Sequence, residues 1–132
     1  MNWQDPQILL AQLAAVAVLG GLGSVGRLLL SRWVGKLPWG TLTGNAIATV
    51  AVGFALDLVL VSPADSGAEF TAALLATGFA GGLSTFSSWA GQTVTLWQEQ
   101  RGRAAFWYFF ATTVACGIAL ILGLALGSLL LK

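Results

Sequence analysis

The groups that could do chemistry in this chain are hydroxyls, amides and one thiol, set within apolar surroundings. The stretch GFAGGLSTFSSW, residues 78–89, carries three glycines and four hydroxyl side chains within twelve residues. A second polar stretch, GTLTGN at residues 40–45, ends in an asparagine. Histidine is absent and Cys116 is the only cysteine, which excludes the usual zinc, haem and cysteine–histidine catalytic sets. The residues therefore favour a binding or conducting site over an enzyme.

Four apolar segments have to position these groups. The 132 residues are 57% hydrophobic and 8% charged, a balance far from that of soluble domains. A spanning helix needs about 20 apolar residues, and four such segments are present, roughly 8–30, 41–61, 69–97 and 104–131. They predict a single four-helix domain, an all-α integral membrane protein. The first six residues hold no Lys or Arg, so we expect the first segment to remain in the mature protein.

Tryptophans and basic residues mark the ends of the predicted spans. Five of the six tryptophans fall at segment ends, as expected for indoles at the membrane interface: Trp3, Trp33, Trp39, Trp97 and Trp107. The basic residues on one side are Arg27, Arg32, Lys36, Arg101 and Arg103, and the other side has Lys132 alone. By the positive-inside rule, this bias places both termini outside the cytoplasm. With no basic run and no nucleotide-binding glycine pattern, nucleic acid is not an expected partner.

The third segment is longer than a straight span requires. It covers 29 residues, and its surplus is centred on residues 78–88, where we expect the helix to break near the bilayer midplane. In lipid, peptide groups freed from a helix have to be satisfied by protein, water or an ion. A broken span offers carbonyls from one half and amides from the other, hence a site for a cation or an anion. A kink that only assists packing is the alternative.

Other polar residues lie inside the second and fourth segments. Asn45 is an amide at a depth where it needs a partner. Tyr108, Thr112 and Cys116 recur at four-residue spacing and would line one stripe of a helix. Interhelical hydrogen bonding explains this stripe as well as a conduction path does. Asp57 is the only acid within the apolar body of a span, and contact with interfacial water accounts for it.

A bound anion would have to be held without full positive charges. No Lys or Arg lies near the centre of any span, so neutral donors and the positive edges of aromatic rings are the available groups. Phe86 and Trp89, three residues apart, would point to one side of the half-helix that follows the break. Weak, distributed binding suits rapid passage, since a conducting site must also release its ion.

The two polar stretches, together with a glycine-rich first span that ends in Gly26-Arg27, resemble the Fluc/CrcB family of bacterial fluoride channels. The resemblance extends over essentially the whole chain. It implies a fluoride-selective channel that exports fluoride passively across the bacterial inner membrane and protects the cell against its toxicity. It also implies an antiparallel, dual-topology dimer in the lipid bilayer, with two narrow pores along the subunit interface.

The resemblance also implies roles for individual residues. Asn45 would be the pore-lining amide donor, and Phe86 would offer its ring edge to fluoride. The remaining pore positions would be Thr41, Ser88, Trp89, Tyr108 and Thr112. Backbone carbonyls of Gly81 and Ser84 would hold a structural sodium ion at the dimer centre, four oxygens counting both subunits.

Two features depart from the family pattern. The family usually has STFSTF where this chain has STFSSW, so Trp89 stands where a second pore ring is expected. Dual-topology members carry little Lys/Arg asymmetry, whereas this chain has a clear bias. The natural assembly is therefore a homodimer or a heterodimer with an oppositely oriented homologue, and a non-conducting subunit is one alternative function. A proton-coupled small four-span multidrug exporter is another, although such an exporter typically needs a carboxylate in its first span and residues 8–30 contain none.

Overall fold

The computed structural model describes residues 5–33, 35–63 and 67–131, and within these ranges the regular structure is entirely helical. Four helical runs are long and apolar enough to cross a membrane: Pro6–Ser31, Trp39–Val61, Ala68–Gln98 and Gly102–Leu130. The chain is therefore an all-α, multi-pass membrane protein. Two groups named from the sequence, the anchor Trp3 and the lone basic residue Lys132, lie outside the described residues.

The first two spans are regular helices. Helix α1 covers Pro6–Ser31, and the Asp5 carboxylate caps it by accepting a hydrogen bond from the Gln7 N–H at 2.9 Å. Pro6 occupies the first turn, where a missing N–H removes no helical hydrogen bond. Helix α2 covers Trp39–Val61. Thr41 therefore lies inside the first turn of α2, where it is buried.

The third span is assembled from several pieces and has the lowest mean hydropathy of the four, 1.2 against 1.9 to 2.3. Its pieces are α3 (Ala68–Ala73), a π-helical segment (Leu74–Ala80), the single turn α4 (Gly81–Leu83) and α5 (Phe86–Gln98). Ser84 (φ −75°, ψ 154°) and Thr85 (φ −153°, ψ 114°) have extended backbone between α4 and α5. Within residues 78–88, the stretch 78–83 is helical and only these two residues are extended.

Helix α1 crosses the third span at backbone contact. A Cβ atom added to Gly82 would lie 3.0 Å from the Cα of Gly20, and one added to Gly23 would lie 2.9 Å from the backbone nitrogen of Leu83. Small residues allow such close approach between helices in a membrane. The crossing brings α1 directly against the end of α4, beside the two extended residues.

The fourth span, α6 (Gly102–Leu130), makes its most extensive contact with α2. Gly53 and Gly123 meet at this crossing, where a Cβ atom added to Gly123 would lie 3.0 Å from the Cα of Gly53. At one end of the bundle, the Arg101 guanidinium donates to the backbone carbonyl of Lys36. The loops after α1 and after α5 therefore lie at the same end, which agrees with four successive crossings.

Candidate functional site

The two extended residues of the third span are held by one side chain of α2. The Oδ1 atom of Asn45 accepts a hydrogen bond from the Thr85 N–H at 2.7 Å, and its Nδ2 donates to the Thr85 carbonyl at 3.2 Å. In a continuous helix, the N–H and the carbonyl of Thr85 would bond to other backbone groups of that helix. Here both are paired with Asn45 instead. A carboxamide NH₂ carries two hydrogens, and the second hydrogen of Asn45 has no partner among the described residues.

Thr85 also begins α5. Its Oγ1 accepts from the Ser88 N–H at 3.2 Å and donates to the Ser88 Oγ at 3.0 Å. This is an N-cap, which satisfies one of the free N–H groups of the first helical turn. The positive end of the α5 dipole therefore lies at the extended residues. Phe86, the first residue of α5, is 75% exposed at the surface of the subunit.

The carbonyl groups at the end of α4 are approached by α1. The Ser24 hydroxyl lies 3.5 Å from the Gly82 carbonyl oxygen, and the Nη1 of Arg27 donates to the Ser84 carbonyl at 3.4 Å. The carbonyl end of a helix carries partial negative charge. Arg27 thus places a cation against one of the two carbonyls, those of Gly81 and Ser84, that the sequence resemblance assigns to sodium. Gly81 itself is exposed on the subunit surface.

A cleft of about 330 Å³ lies beside the extended residues, between α2, α5 and α6. Its walls are formed by Asn45, Thr49, Ser84, Thr85, Phe86, Trp89, Thr112, Thr113 and Cys116. Five of these residues were named as site residues from the sequence: Asn45, Ser84, Phe86, Trp89 and Thr112. Thr49 and Thr113 were missed. The sequence signal for Thr49 is its position four residues after Asn45, which places the two on one helical face.

Three threonine hydroxyls of the cleft are already engaged as donors. Thr49 donates to the Asn45 carbonyl at 2.7 Å, Thr112 to the Tyr108 carbonyl at 2.8 Å, and Thr113 to the Phe109 carbonyl at 3.0 Å. Each bond returns to the preceding turn of the same helix, a common arrangement for threonine. These side chains consequently present oxygen lone pairs to the cleft.

Tyr108 connects this cleft to a second polar region. The Tyr108 ring is fully buried, and its hydroxyl donates to Oε1 of Gln92 at 2.7 Å. The Thr41 side chain also lies near the phenol. Gln92 lines a second cleft, of about 310 Å³, near the loop that carries Lys36. Tyr108 therefore lies between the two clefts.

Tyr108, Thr41, Ser88 and Gly81 are not walls of the first cleft, although the sequence resemblance includes them in the site. Ser88 lies on the exposed face of the first turn of α5. Gln92 was missed by the sequence analysis. Its only sequence signal is a polar side chain one turn after Ser88 and Trp89, on the same face of α5.

None of the described Asp and Glu side chains is a wall of the first cleft. Within residues 5–33, 35–63 and 67–131, no three His, Cys, Asp or Glu side chains are close enough together to hold a metal ion. A cation at the extended residues would thus have to bind backbone carbonyl or side-chain hydroxyl oxygens. Asp57 lies eight residues beyond Thr49 on α2, about 12 Å along the axis. Its Oδ2 is buried against Gly127 and has no partner in the described part of the chain.

These features define a multi-pass membrane protein with a polar cleft at an interrupted span. The chain belongs to the CrcB family: the family model described as "CrcB-like protein, Camphor Resistance (CrcB)" matches residues 14–124. The matched residues include Asn45, both extended residues and the Tyr108–Thr112 turn of α6.

Curated relatives cover most of the chain. A protein of Chlorobium chlorochromatii, named fluoride-specific ion channel FluC, is 35% identical over 122 residues, which is 86% of this chain and 90% of that protein. The protein of the same name from Paracoccus denitrificans is 35% identical over 116 residues, 85% and 90% of the two chains. The one from Hahella chejuensis is 33% identical over 124 residues, 90% and 96% of the two chains.

Proposed function

We propose that this protein is a fluoride-selective channel that lets fluoride leave a bacterial cell passively across the inner membrane and so protects against fluoride toxicity. The observation that carries the proposal is the cleft beside Ser84 and Thr85, where the Asn45 amide is fixed in place with one hydrogen free to donate. Family membership and the names of the curated relatives support the same function.

The donors of this cleft suit conduction better than tight binding. The unused hydrogen of Asn45 and the ring edge of Phe86 carry partial rather than full positive charge. An ion held by such groups can leave again, as conduction requires. We place the rest of the pore along α6, from Thr112 past Tyr108 and Thr41 toward Gln92, with Ser88 at its margin.

We also infer that the two extended residues lie near the bilayer midplane. Helix α5 has 13 residues, about 20 Å at 1.5 Å per residue. The helical run before the extended residues, from 68 to 83, is about 24 Å long by the same rise. Neither part alone spans a hydrocarbon core of about 30 Å, so the junction falls inside it. At that depth a peptide group without a hydrogen-bond partner is costly. The two hydrogen bonds between Asn45 and Thr85 avoid this cost.

The subunit is proposed to act as an antiparallel dimer. Ser87 and Ser88 are exposed at the start of α5, and Phe86 is exposed beside them. Hydroxyl groups facing lipid at mid-depth would be unfavourable, whereas a second subunit could cover them and close the open side of the cleft. Either a second copy or an oppositely oriented homologue meets this requirement. The bias of Lys and Arg toward one side of the chain is the argument for the homologue.

A sodium ion at the dimer centre is the proposed structural cofactor. The Gly81 and Ser84 carbonyls belong to the end of α4, where carbonyls lack helical N–H partners, and the partial negative charge there suits a cation. Two oxygens from each subunit would complete a four-oxygen site. The Ser84 carbonyl already accepts from Arg27, so this residue and sodium would share one oxygen. The ion would supply positive charge that stabilises the subunit contact.

The test is fluoride efflux from liposomes that contain only this protein, loaded with potassium fluoride and triggered with valinomycin. Fluoride should be released rapidly while chloride is retained, and Asn45→Ala should abolish release. Release without a partner supports the homodimer.

If well-folded protein releases no fluoride, co-reconstitution with an oppositely oriented homologue distinguishes a silent subunit from a protein of another function. Transport that requires a proton gradient would instead support the multidrug exporter.

A further inference from the structure

We propose that the second cleft binds the headgroup of an anionic phospholipid, with the lipid phosphate between the Lys36 ammonium and the Arg101 guanidinium. This cleft of about 310 Å³ lies at the end of the bundle where the loops after α1 and α5 meet. Its walls are formed by residues 35–38 and by one face of the last turns of α5. The proposal does not depend on the channel function proposed above.

The first argument is charge. Lys36 and Arg101 are basic walls of the second cleft and Glu99 is its acidic wall, so one positive charge is in excess. The Lys36 side chain is exposed and has no hydrogen bond or ion pair among the described residues. The Arg101 Nη1 lies 3.6 Å from the Glu99 carboxylate, too far for a hydrogen bond. Both cations therefore keep donors for a phosphate, which forms strong charge-assisted hydrogen bonds with such groups.

The second argument is depth. Helix α5 has 13 residues, about 20 Å at 1.5 Å per residue, and it begins at the extended residues that we place near the midplane. The headgroup region of a bilayer lies about 15–22 Å from the midplane. Arg101 follows the end of α5 and so lies at headgroup depth. Gln92, seven residues before Glu99, lies about 10 Å deeper, so the lipid phosphate would not occupy the proposed conduction path.

The third argument is the apolar surface beside the second cleft. The indoles of Trp39 and Trp97 are 41% and 69% exposed. A Cβ atom added to Gly35 would lie 3.5 Å from the Trp39 ring, and one added to Gly102 would lie 3.5 Å from the Trp97 ring. Each indole thus adjoins a residue of one of the two loops, at the depth where tryptophan favours the membrane interface. The acyl chains of a lipid can cover these rings, whereas a free phosphate cannot.

The distribution of charge along the bundle favours an anionic lipid over a zwitterionic one. Every described Lys and Arg lies toward the end that carries the second cleft, whereas Asp5 and Glu69 lie at the opposite end. Basic pockets between membrane helices bind anionic lipid headgroups. A volume of about 310 Å³ is in the range of small-molecule sites and admits a phosphate together with its glycerol.

The experiment is lipid binding to the intact protein in neutral detergent, measured by native mass spectrometry and by the melting temperature. Phosphatidylglycerol is compared with phosphatidylcholine of the same acyl chains, and inorganic phosphate is the probe without chains. Lys36→Gln is the main variant, because this side chain has no polar partner to lose among the described residues. Arg103→Gln is the matched control, since it removes the same charge from an exposed residue that is not a wall of the cleft. Glu99→Gln removes the acidic wall.

We expect phosphatidylglycerol to bind more tightly than phosphatidylcholine and to raise the melting temperature, and inorganic phosphate to have no effect on it. Lys36→Gln should weaken phosphatidylglycerol binding by about fivefold, the usual contribution of one basic residue near anionic lipid. Arg103→Gln should leave this binding unchanged. Glu99→Gln should strengthen it, because a carboxylate that repels the phosphate is lost.

Three results would overturn the lipid site. Equal binding of the two lipids would show no selectivity for an anionic headgroup, and equal weakening by Lys36→Gln and Arg103→Gln would show a general effect of charge. Stabilisation by inorganic phosphate as strong as that by phosphatidylglycerol would assign the second cleft to a free anion. Fluoride efflux from neutral liposomes tests the channel function separately, so either proposal can fail while the other stands.

Discussion

The Asn45 carboxamide pairs with both peptide groups of Thr85, accepting from its N–H at 2.7 Å and donating to its carbonyl at 3.2 Å. Two neighbouring strands of a sheet exchange hydrogen bonds in the same manner. Here the Asn45 side chain makes the two hydrogen bonds that a neighbouring strand would make. The pairing fixes the direction of the polypeptide at the interruption of the third span and, with it, the position of the free Asn45 hydrogen in the cleft.

Loss of this pairing should cost both stability and transport. Asn45→Ala leaves the N–H and the carbonyl of Thr85 unpaired, and each unsatisfied buried group costs about 1–3 kcal/mol. We expect a clear fall in the melting temperature in detergent together with loss of fluoride efflux. Thr49→Val is the control for stability, because it removes only a hydrogen bond within α2. Equal melting temperatures for Asn45→Ala and wild type would contradict a structural role for the Asn45–Thr85 hydrogen bonds.

Neighbouring glycines in the third span should respond in opposite ways to alanine. A Cβ atom at Gly82 would meet the backbone of Gly20, whereas one at Gly81 would have only the Ala76 carbonyl oxygen nearby, at 3.7 Å. Gly82→Ala should therefore lower the melting temperature by separating α1 from α4, with an overpacking cost of about 1–3 kcal/mol. Gly81→Ala should be neutral or slightly stabilising, since alanine favours helix. The prediction fails if both variants melt alike.

The phenol of Tyr108 should be coupled energetically to Gln92. Their hydrogen bond is 2.7 Å long and Tyr108 is fully buried. A double-mutant cycle of Tyr108→Phe and Gln92→Met in thermal unfolding should give a coupling of about 1 kcal/mol, the usual net value of such a bond. Tyr108→Phe should also slow fluoride efflux if the conduction path passes this residue. A coupling near zero would show that the bond contributes nothing to stability.

Sodium should stabilise the folded protein, and more strongly when Arg27 is neutral. The Ser84 carbonyl accepts from the Arg27 guanidinium at 3.4 Å, so a cation bound there competes with this contact. Replacing sodium by N-methyl-D-glucamine at constant chloride should lower the melting temperature of wild type. In Arg27→Gln the drop should be larger, because the carbonyl then has no other cation nearby. Identical melting curves in both salts would argue against the sodium site.

Asp57 should be dispensable for transport. Its Oδ2 is buried against Gly127 without a partner among the described residues, and the residue is not a wall of the cleft. Asp57→Asn keeps the size and shape of the side chain, so its packing against Gly127 is retained. We expect unchanged fluoride efflux and an equal or higher melting temperature. A variant that folds but no longer transports would favour proton coupling through this carboxylate.

Several features of the site could be read from residue types and spacing. Polar residues inside an apolar segment have to be paired, so Asn45 and Thr112 could be singled out without coordinates. Phe86 and Trp89 could be singled out as aromatic rings on one side of the half-helix after the expected break. The structure places all four in one cleft. Thr49, Thr113 and Gln92 were missed, because a lone hydroxyl or amide on a helix gives no sign of which neighbour it faces.

The amino-acid sequence by itself determined that this protein is a four-span membrane protein, because the length and hydropathy of a segment decide whether it crosses a bilayer. It also indicated where the third span would carry peptide groups in need of partners. Only the tertiary structure decided which side chain satisfies them. Asn45 and Thr85 are 40 residues apart, and the packing of α1, α2 and α6 around the interruption brings them together. Such pairings depend on helix crossing and rotation, which the local sequence does not encode.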